Sequence, residues 1–191
     1  MELLEQRIRQ DGKVKGDSIL KVDSFLNHQM DIELFSQMGQ EFYRLFGSCG
    51  VNKILTIEAS GIGMACVAAQ YFHCPVVFAK KSMSSNIPDH VYSAPVKSFT
   101  HGNQYNAIVS KEYLHPEDRV LVIDDFLAMG EALRGLFSLV KQSGAALVGA
   151  GIAVEKAFQP GGAQLRSEGY RIESLARVAA MSEKDGVTFV H

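Results

Sequence analysis

Residues 120–132, Val-Leu-Val-Ile-Asp-Asp-Phe-Leu-Ala-Met-Gly-Glu-Ala, constrain this chain more than any other stretch. Four consecutive apolar, mostly β-branched residues end at two adjacent carboxylates. Leu133, Leu136, Phe137 and Val140 then recur at i, i+3, i+4 and i+7, the spacing of one helix face. The segment reads as a buried strand over residues 120–123, a loop at its C-terminal end, and a helix N-terminus at Gly130. In open α/β sheets, that crevice is where ligands bind. Free N–H groups at a helix start suit a phosphate. The two carboxylates suit sugar hydroxyls or a hydrated Mg²⁺. One segment thus offers a site for each end of a ribose 5-phosphate.

The rest of the chain alternates in a compatible way. Residues 2–10 read as a short helix closed by Gly12, with Leu4 and Ile8 as its buried stripe. Asp31 is an N-cap for a second helix with Glu33 in its first turn, and Ile32, Phe35, Phe42 and Phe46 as its apolar face. Strands are expected over residues 53–57, 76–79, 120–123 and 147–154, with helices over 61–73 and 130–143. Residues 91–99 and 105–110 are expected to form an antiparallel pair. After about residue 160, a short helix and one or two strands are expected. This alternation predicts a mainly parallel central sheet covered on both faces.

With 191 residues and 47% hydrophobic content, the chain can bury the core of one α/β domain. The net charge of −2 comes from interspersed signs, which argues against a nucleic-acid partner. Cys49, Cys66 and Cys74 lack the spacing of a zinc site, and Cys66 lies in an apolar run where it should pack as a small hydrophobe. No stretch has the length of a membrane span and residues 1–8 show no secretory pattern, so a reducing, cytoplasmic location is expected.

Ile123-Asp124-Asp125 followed by Ala128-Met129-Gly130 resembles the phosphoribosyl pyrophosphate (PRPP) signature of the type I phosphoribosyltransferases. Three more blocks are similar to the xanthine-type members of that family. They are Leu20-Lys21-Val22-Asp23-Ser24-Phe25-Leu26-Asn27-His28-Gln29, Glu58-Ala59-Ser60-Gly61-Ile62, and Val154-Glu155-Lys156-Ala157-Phe158-Gln159-Pro160-Gly161. The blocks span nearly the whole chain, in order. Two positions depart from the broad family pattern. Met129 stands where many members have Thr or Asn, and Ala132 where many have Ser or Thr.

The resemblance implies one domain over residues 1–191, with a small hood over a base site built from about residues 1–30 and the C-terminal segment. It implies transfer of a ribosyl 5-phosphate from PRPP to N9 of xanthine, with Mg²⁺ accompanying PRPP and no metal held by the protein alone. Asp124 and Asp125 would hold the ribose. Ala128, Met129, Gly130, Glu131 and Ala132 would cradle the 5′-phosphate. Ala59, Ser60 and Gly61 would meet pyrophosphate in a loop that in this family often carries a non-proline cis peptide. Lys80 and Lys81 would belong to a polar lid over residues 80–90. Leu20, Asn27 and Lys156 would hold the base: Asn27 offers both a donor and an acceptor, and Lys156 donates to a 6-oxo group. Glu155 would lie on the outer face, and Phe158 either stacks on the base or joins the core. A homodimer is implied. Two other readings stay open: the same chemistry on guanine or hypoxanthine, and a non-catalytic PRPP-sensing module.

Overall fold

The computed structural model describes residues 1–16, 18–82, 89–97 and 104–190. Helix α1 (Glu2–Asp11) leads into a hairpin of β1 (Lys13–Lys15) and β2 (Ile19–Lys21), followed by a π-helical turn over Asp23–Asn27. Then come α2 (Ile32–Phe46), β3 (Lys53–Ile57), α3 (Ser60–Phe72), β4 (Val76–Ser82), β5 (Val91–Lys97) and β6 (Gln104–Ser110). The chain continues through β7 (Arg119–Leu127), α4 (Glu131–Ser143), β8 (Ala146–Lys156), α5 (Pro160–Ser167), β9 (Ile172–Ser182) and β10 (Gly186–Phe189).

Among the described residues, eight strands form one sheet in the order β10-β9-β8-β7-β3-β4-β6-β5. The inner run from β9 to β4 is parallel, and β10, β6 and β5 add antiparallel edges. The chain winds outward from β3 to β4 on one side and from β7 through β8 to β9 on the other. The winding therefore reverses between β3 and β7, the switch point where a crevice opens beyond the strand ends.

One core packs α1, α2, α3 and the π-turn against the sheet. The other packs α4 and Leu165 of α5 against the opposite face and the β5–β6 hairpin. Phe35, Phe42 and Phe46 of α2 are fully buried, each contributing roughly 1.5–3 kcal/mol. The Asp31 side chain accepts from the Leu34 amide at 3.1 Å, capping that helix as its sequence predicts.

Three expectations need correction. Ile32 shares the α2 stripe yet is 59% exposed, because it stands in the first turn, where stripe position does not ensure a neighbouring layer. Cys66 is exposed: the buried α3 stripe is Met64, Ala65, Ala68, Ala69 and Phe72, and residue 66 turns to the outer face. Strand β7 runs to Leu127 rather than ending at Ile123, so both aspartates lie inside the strand. Its pairing with β3 is recorded only up to Leu55↔Val122, whereas pairing with β8 continues through Asp124↔Ile152 to Leu127↔Glu155. One neighbour holds the strand straight while the other has departed, and this opens the crevice beside Asp124.

Candidate active site

Strand β3 ends at Ile57, the Glu58–Ala59 peptide bond is cis, and α3 starts at Ser60. The Glu58 amide donates to the Ala79 carbonyl at 3.1 Å, and the Glu58 carboxylate accepts from the Lys81 amide at 2.5 Å. The Ala59-Ser60-Gly61 loop is thereby tied to β4. Gly61 also stands against β7: a Cβ there would collide with Thr56 Oγ1 and lie 3.2 Å from Asp124 Oδ1. The loop and the acidic pair therefore share one crevice.

Asp124 is only 4% exposed. Its Oδ1 accepts from the Asp125 amide at 3.0 Å, and Asp125 Oδ1 accepts from the Phe126 amide at 2.9 Å. Burial, and then the neighbouring Asp125 charge, push the Asp124 carboxyl well above the usual carboxylate range, with Lys81 opposing them. The Lys81 ammonium sits 5.3 Å from the Tyr105 ring centroid. Burial and then the Asp124 charge raise the Tyr105 phenol in turn. Thus Lys81, Tyr105 and Asp124 form one electrostatic group.

A stability prediction follows from Asp124. Its folded-state pKa is raised, so below its unfolded value both states are protonated and no penalty exists. The penalty accumulates as pH rises above the unfolded value and is complete once pH has passed the folded value. Asp124→Asn keeps an oxygen acceptor and removes the charge. It is expected to raise the thermal midpoint at neutral pH and to lose that advantage below about pH 4, where a free carboxyl is also neutral. Each ~1 kcal/mol recovered moves the midpoint of a chain this size by roughly 2–4 °C. Thermal unfolding at pH 4 and pH 7.5 is the check. An equal or lower midpoint at pH 7.5 refutes it.

The Ala128–Ala132 stretch turns at Gly130, the residue preceding α4, with φ +86°. That left-handed conformation favours glycine and turns the chain into α4, whose first-turn amides lack intrahelical acceptors. The Gly130 carbonyl accepts from the Arg134 amide at 2.9 Å, starting the helix.

Lys156 ends β8. Its Nζ donates to the Ser18 carbonyl at 2.7 Å and lies 5.9 Å from the Phe126 ring centroid. Burial holds the ammonium's pKa below the ordinary lysine range. Ser18 immediately precedes β2, so the β1–β2 hairpin, with Leu20 buried in it, leans over Lys156. Asn27 closes the π-turn, and its Oδ1 is buried without a hydrogen-bond partner among the described residues. A buried acceptor left unpaired is costly, and a ligand donor would satisfy it.

Other expectations fare differently. Lys80 and Lys81 belong to β4, because pairing with β6 (Lys80↔Ile108, Lys81↔Ala107) carries that strand past Ala79. Alternation along the strand separates them. Lys81 faces Asp124, whereas Lys80 lines a groove of about 620 Å³ with Phe78 and Ile108 on the other side of the sheet. Residues 83–88 of the lid expected over residues 80–90 lie outside the described residues. Glu155 is not on the outer face: it is 2% exposed and held by Arg166 and Arg177, since a carboxylate so buried requires cationic partners. Phe158 is 42% exposed and does not join the core.

Sequence reasoning missed Thr56, Tyr105 and Ser18. Thr56 carried a signal, as the single polar residue within Ile54-Leu55-Thr56-Ile57. It is fully buried, and its Oγ1 has no hydrogen-bond partner among the described residues. Tyr105 and Ser18 carried none, because only the tertiary fold brings them to the site.

No family model matches the chain. It is 59% identical over 186 residues to a xanthine phosphoribosyltransferase of Lachnoclostridium phytofermentans, covering 97% of this chain and 96% of that relative. It is also 59% identical over 181 residues to a xanthine phosphoribosyltransferase of Ruminiclostridium cellulolyticum, covering 95% of each. Among solved structures, the adenine phosphoribosyltransferase of Rhodothermus marinus superposes with a TM-score of 0.74 at 17% identity, covering 93% of this chain and 99% of that one. At that identity the likeness shows the fold.

Proposed function

The chain belongs to the xanthine phosphoribosyltransferase family, and on that premise we propose that it transfers the 5-phosphoribosyl group of PRPP to N9 of xanthine. The products are xanthosine 5′-monophosphate and pyrophosphate, a purine-salvage reaction. The observation that carries this reading is the convergence at one switch-point crevice of an acidic pair, two helix-start loops and a half-buried lysine.

In the reaction the N9–C1′ bond forms as the C1′–O bond to pyrophosphate breaks. Positive charge builds on the sugar, as in glycoside hydrolysis. Positioning and fixed electrostatics do most of the work. Asp124 and Asp125 accept from the ribose 2′- and 3′-hydroxyls. The first-turn amides of α4, presented by residues 128–132, hold the 5′-phosphate. Ala59, Ser60 and Gly61 meet the pyrophosphate, with Lys81 supplying a cation from β4. Leu20, Asn27 and Lys156 hold the base, under a hood formed by residues 1–30 and the C-terminal segment of a single domain. The hard oxygen donors of Asp124 and Asp125 fit a hydrated Mg²⁺ accompanying PRPP, which would neutralise the leaving group's charge.

Among the described residues, no helix is long and apolar enough to cross a membrane. Free cysteines fit a reducing cytoplasm. The open groove beside β4, with Phe78 and Tyr113 exposed along it, fits a second copy of the chain.

Pyrophosphate release with PRPP and Mg²⁺, offering xanthine, guanine, hypoxanthine and adenine in turn, tests the reaction. Turnover should be strongest with xanthine and weakest with adenine, whose 6-amino group is a donor facing the Lys156 donor. Preference for guanine or hypoxanthine would reassign the base. PRPP binding without release on any base would leave a sensing module.

A further inference from the structure

Helix α5 links the two halves of the crevice. It begins four residues after Lys156, and its second and third residues are Gly161 and Gly162. A Cβ on Gly161 would collide with the Ala128 carbonyl oxygen and the Met129 carbonyl carbon, and would lie 2.6 Å from the Gly130 nitrogen. These are backbone atoms of the phosphate loop and cannot swing aside. Leu165, fully buried, supports the same turn: its Cδ1 lies 3.2 Å from where a Cβ on Gly130 would be.

The next residue meets the other half. A Cβ on Gly162 would collide with Glu155 Oε1 and lie 2.9 Å from Arg166 Nη1. Arg166 grips Glu155 with two parallel hydrogen bonds, each 2.7 Å, and its Nε donates to the Ile172 carbonyl at 3.2 Å. Arg177 Nε adds a contact to Glu155 Oε2 at 3.4 Å. Glu155 directly precedes Lys156 in β8. One close-packed stack thus runs from the lysine's strand through Glu155, Arg166 and the two glycines to the phosphate loop. Close packing transmits small displacements along such a stack.

We propose that Glu155, Arg166, Gly161 and Gly162 act as a bracket that fixes the separation between Lys156 and the Ala128–Ala132 loop. Glu155 and Arg166 are then positioning residues for the transfer. This inference rests on the reading of Lys156 and that loop given under Proposed function.

The test compares Gly162→Ala, Glu155→Asp and the double variant, measuring KM for xanthine and for PRPP, kcat and the thermal midpoint. Gly162→Ala should displace the Glu155 carboxylate and raise both KM values by about tenfold, with kcat changed less, the pattern of lost substrate positioning. Shortening Glu155 by one methylene makes room, so the double variant should recover part of both KM values. A merely structural role would lower the thermal midpoint or the active fraction without moving KM, and would show no recovery. Unchanged KM values in folded Gly162→Ala, or no recovery in the double variant, overturn the bracket. If Gly162→Ala does not fold, Arg166→Lys takes its place. It keeps the charge, loses the two-pronged grip, and carries the same expectation for both KM values, with unchanged values overturning the bracket. Should the unmutated chain release no pyrophosphate with any base, the proposed function fails. Calorimetric dissociation constants for PRPP and xanthine on the same variants then decide the bracket by the same criteria.

Discussion

Asp125→Ala is expected to lower kcat/KM for PRPP by about 10²–10⁴-fold in a protein that still folds. Two hydrogen bonds from sugar hydroxyls to a carboxylate are worth roughly 1.5–3 kcal/mol each, and their sum sets that range. The structural cost is smaller. Asp125 is half-buried, and within the protein its side chain accepts from one neighbouring amide, that of Phe126. That amide loses a local partner beside an open crevice, where water can replace it. The two aspartates therefore separate experimentally. Changing Asp124 alters the stability of the free protein, since its charge is nearly enclosed, whereas changing Asp125 should appear mainly in PRPP kinetics. Initial rates of pyrophosphate release across PRPP concentrations decide the matter. A kcat/KM within about threefold of the parent would remove Asp125 from the ribose site, since threefold is under 1 kcal/mol.

The central strands and helices were legible because their signals are local. The β-branched run before Asp124, the Asp31 cap and the stripe through Leu133, Leu136, Phe137 and Val140 each follow from a few neighbouring residues, and each has its counterpart in the fold. What was misread depends on partners distant in sequence. The extension of β7 to Leu127 follows from β8 pairing after β3 has departed. The transfer of Lys80 and Lys81 from loop to strand follows from β6, some 26 residues downstream. Glu155 illustrates the limit most clearly. Beside an exposed-looking lysine its sequence neighbourhood reads as surface, and only Arg166 and Arg177, 11 and 22 residues later, make its burial tolerable. The residue types at the crevice were readable from sequence, whereas the supports behind them were not.

Lys156→Ala is expected to raise KM for xanthine by about 10–100-fold, the value of one charge-assisted hydrogen bond of roughly 1.5–3 kcal/mol to the base. Losing the bond to the Ser18 carbonyl contributes little to that figure, because the carbonyl lies at an accessible site and net hydrogen-bond contributions are near 1 kcal/mol. A base lacking the 6-oxygen separates recognition from support. If Lys156 reads that oxygen, the variant should lose most with xanthine and almost nothing with a purine carrying no 6-oxo group. Equal losses on both would mean that the lysine only anchors the β1–β2 hairpin. The pH profile gives a second handle. Burial depresses the ammonium's pKa, so on raising the pH the parent should lose its grip on the 6-oxo group earlier than an exposed lysine would. Lys156→Ala should lack that limb of the profile, because it has no proton to lose. A limb that persists in the variant belongs to another group and would leave the lysine without a role in reading the base.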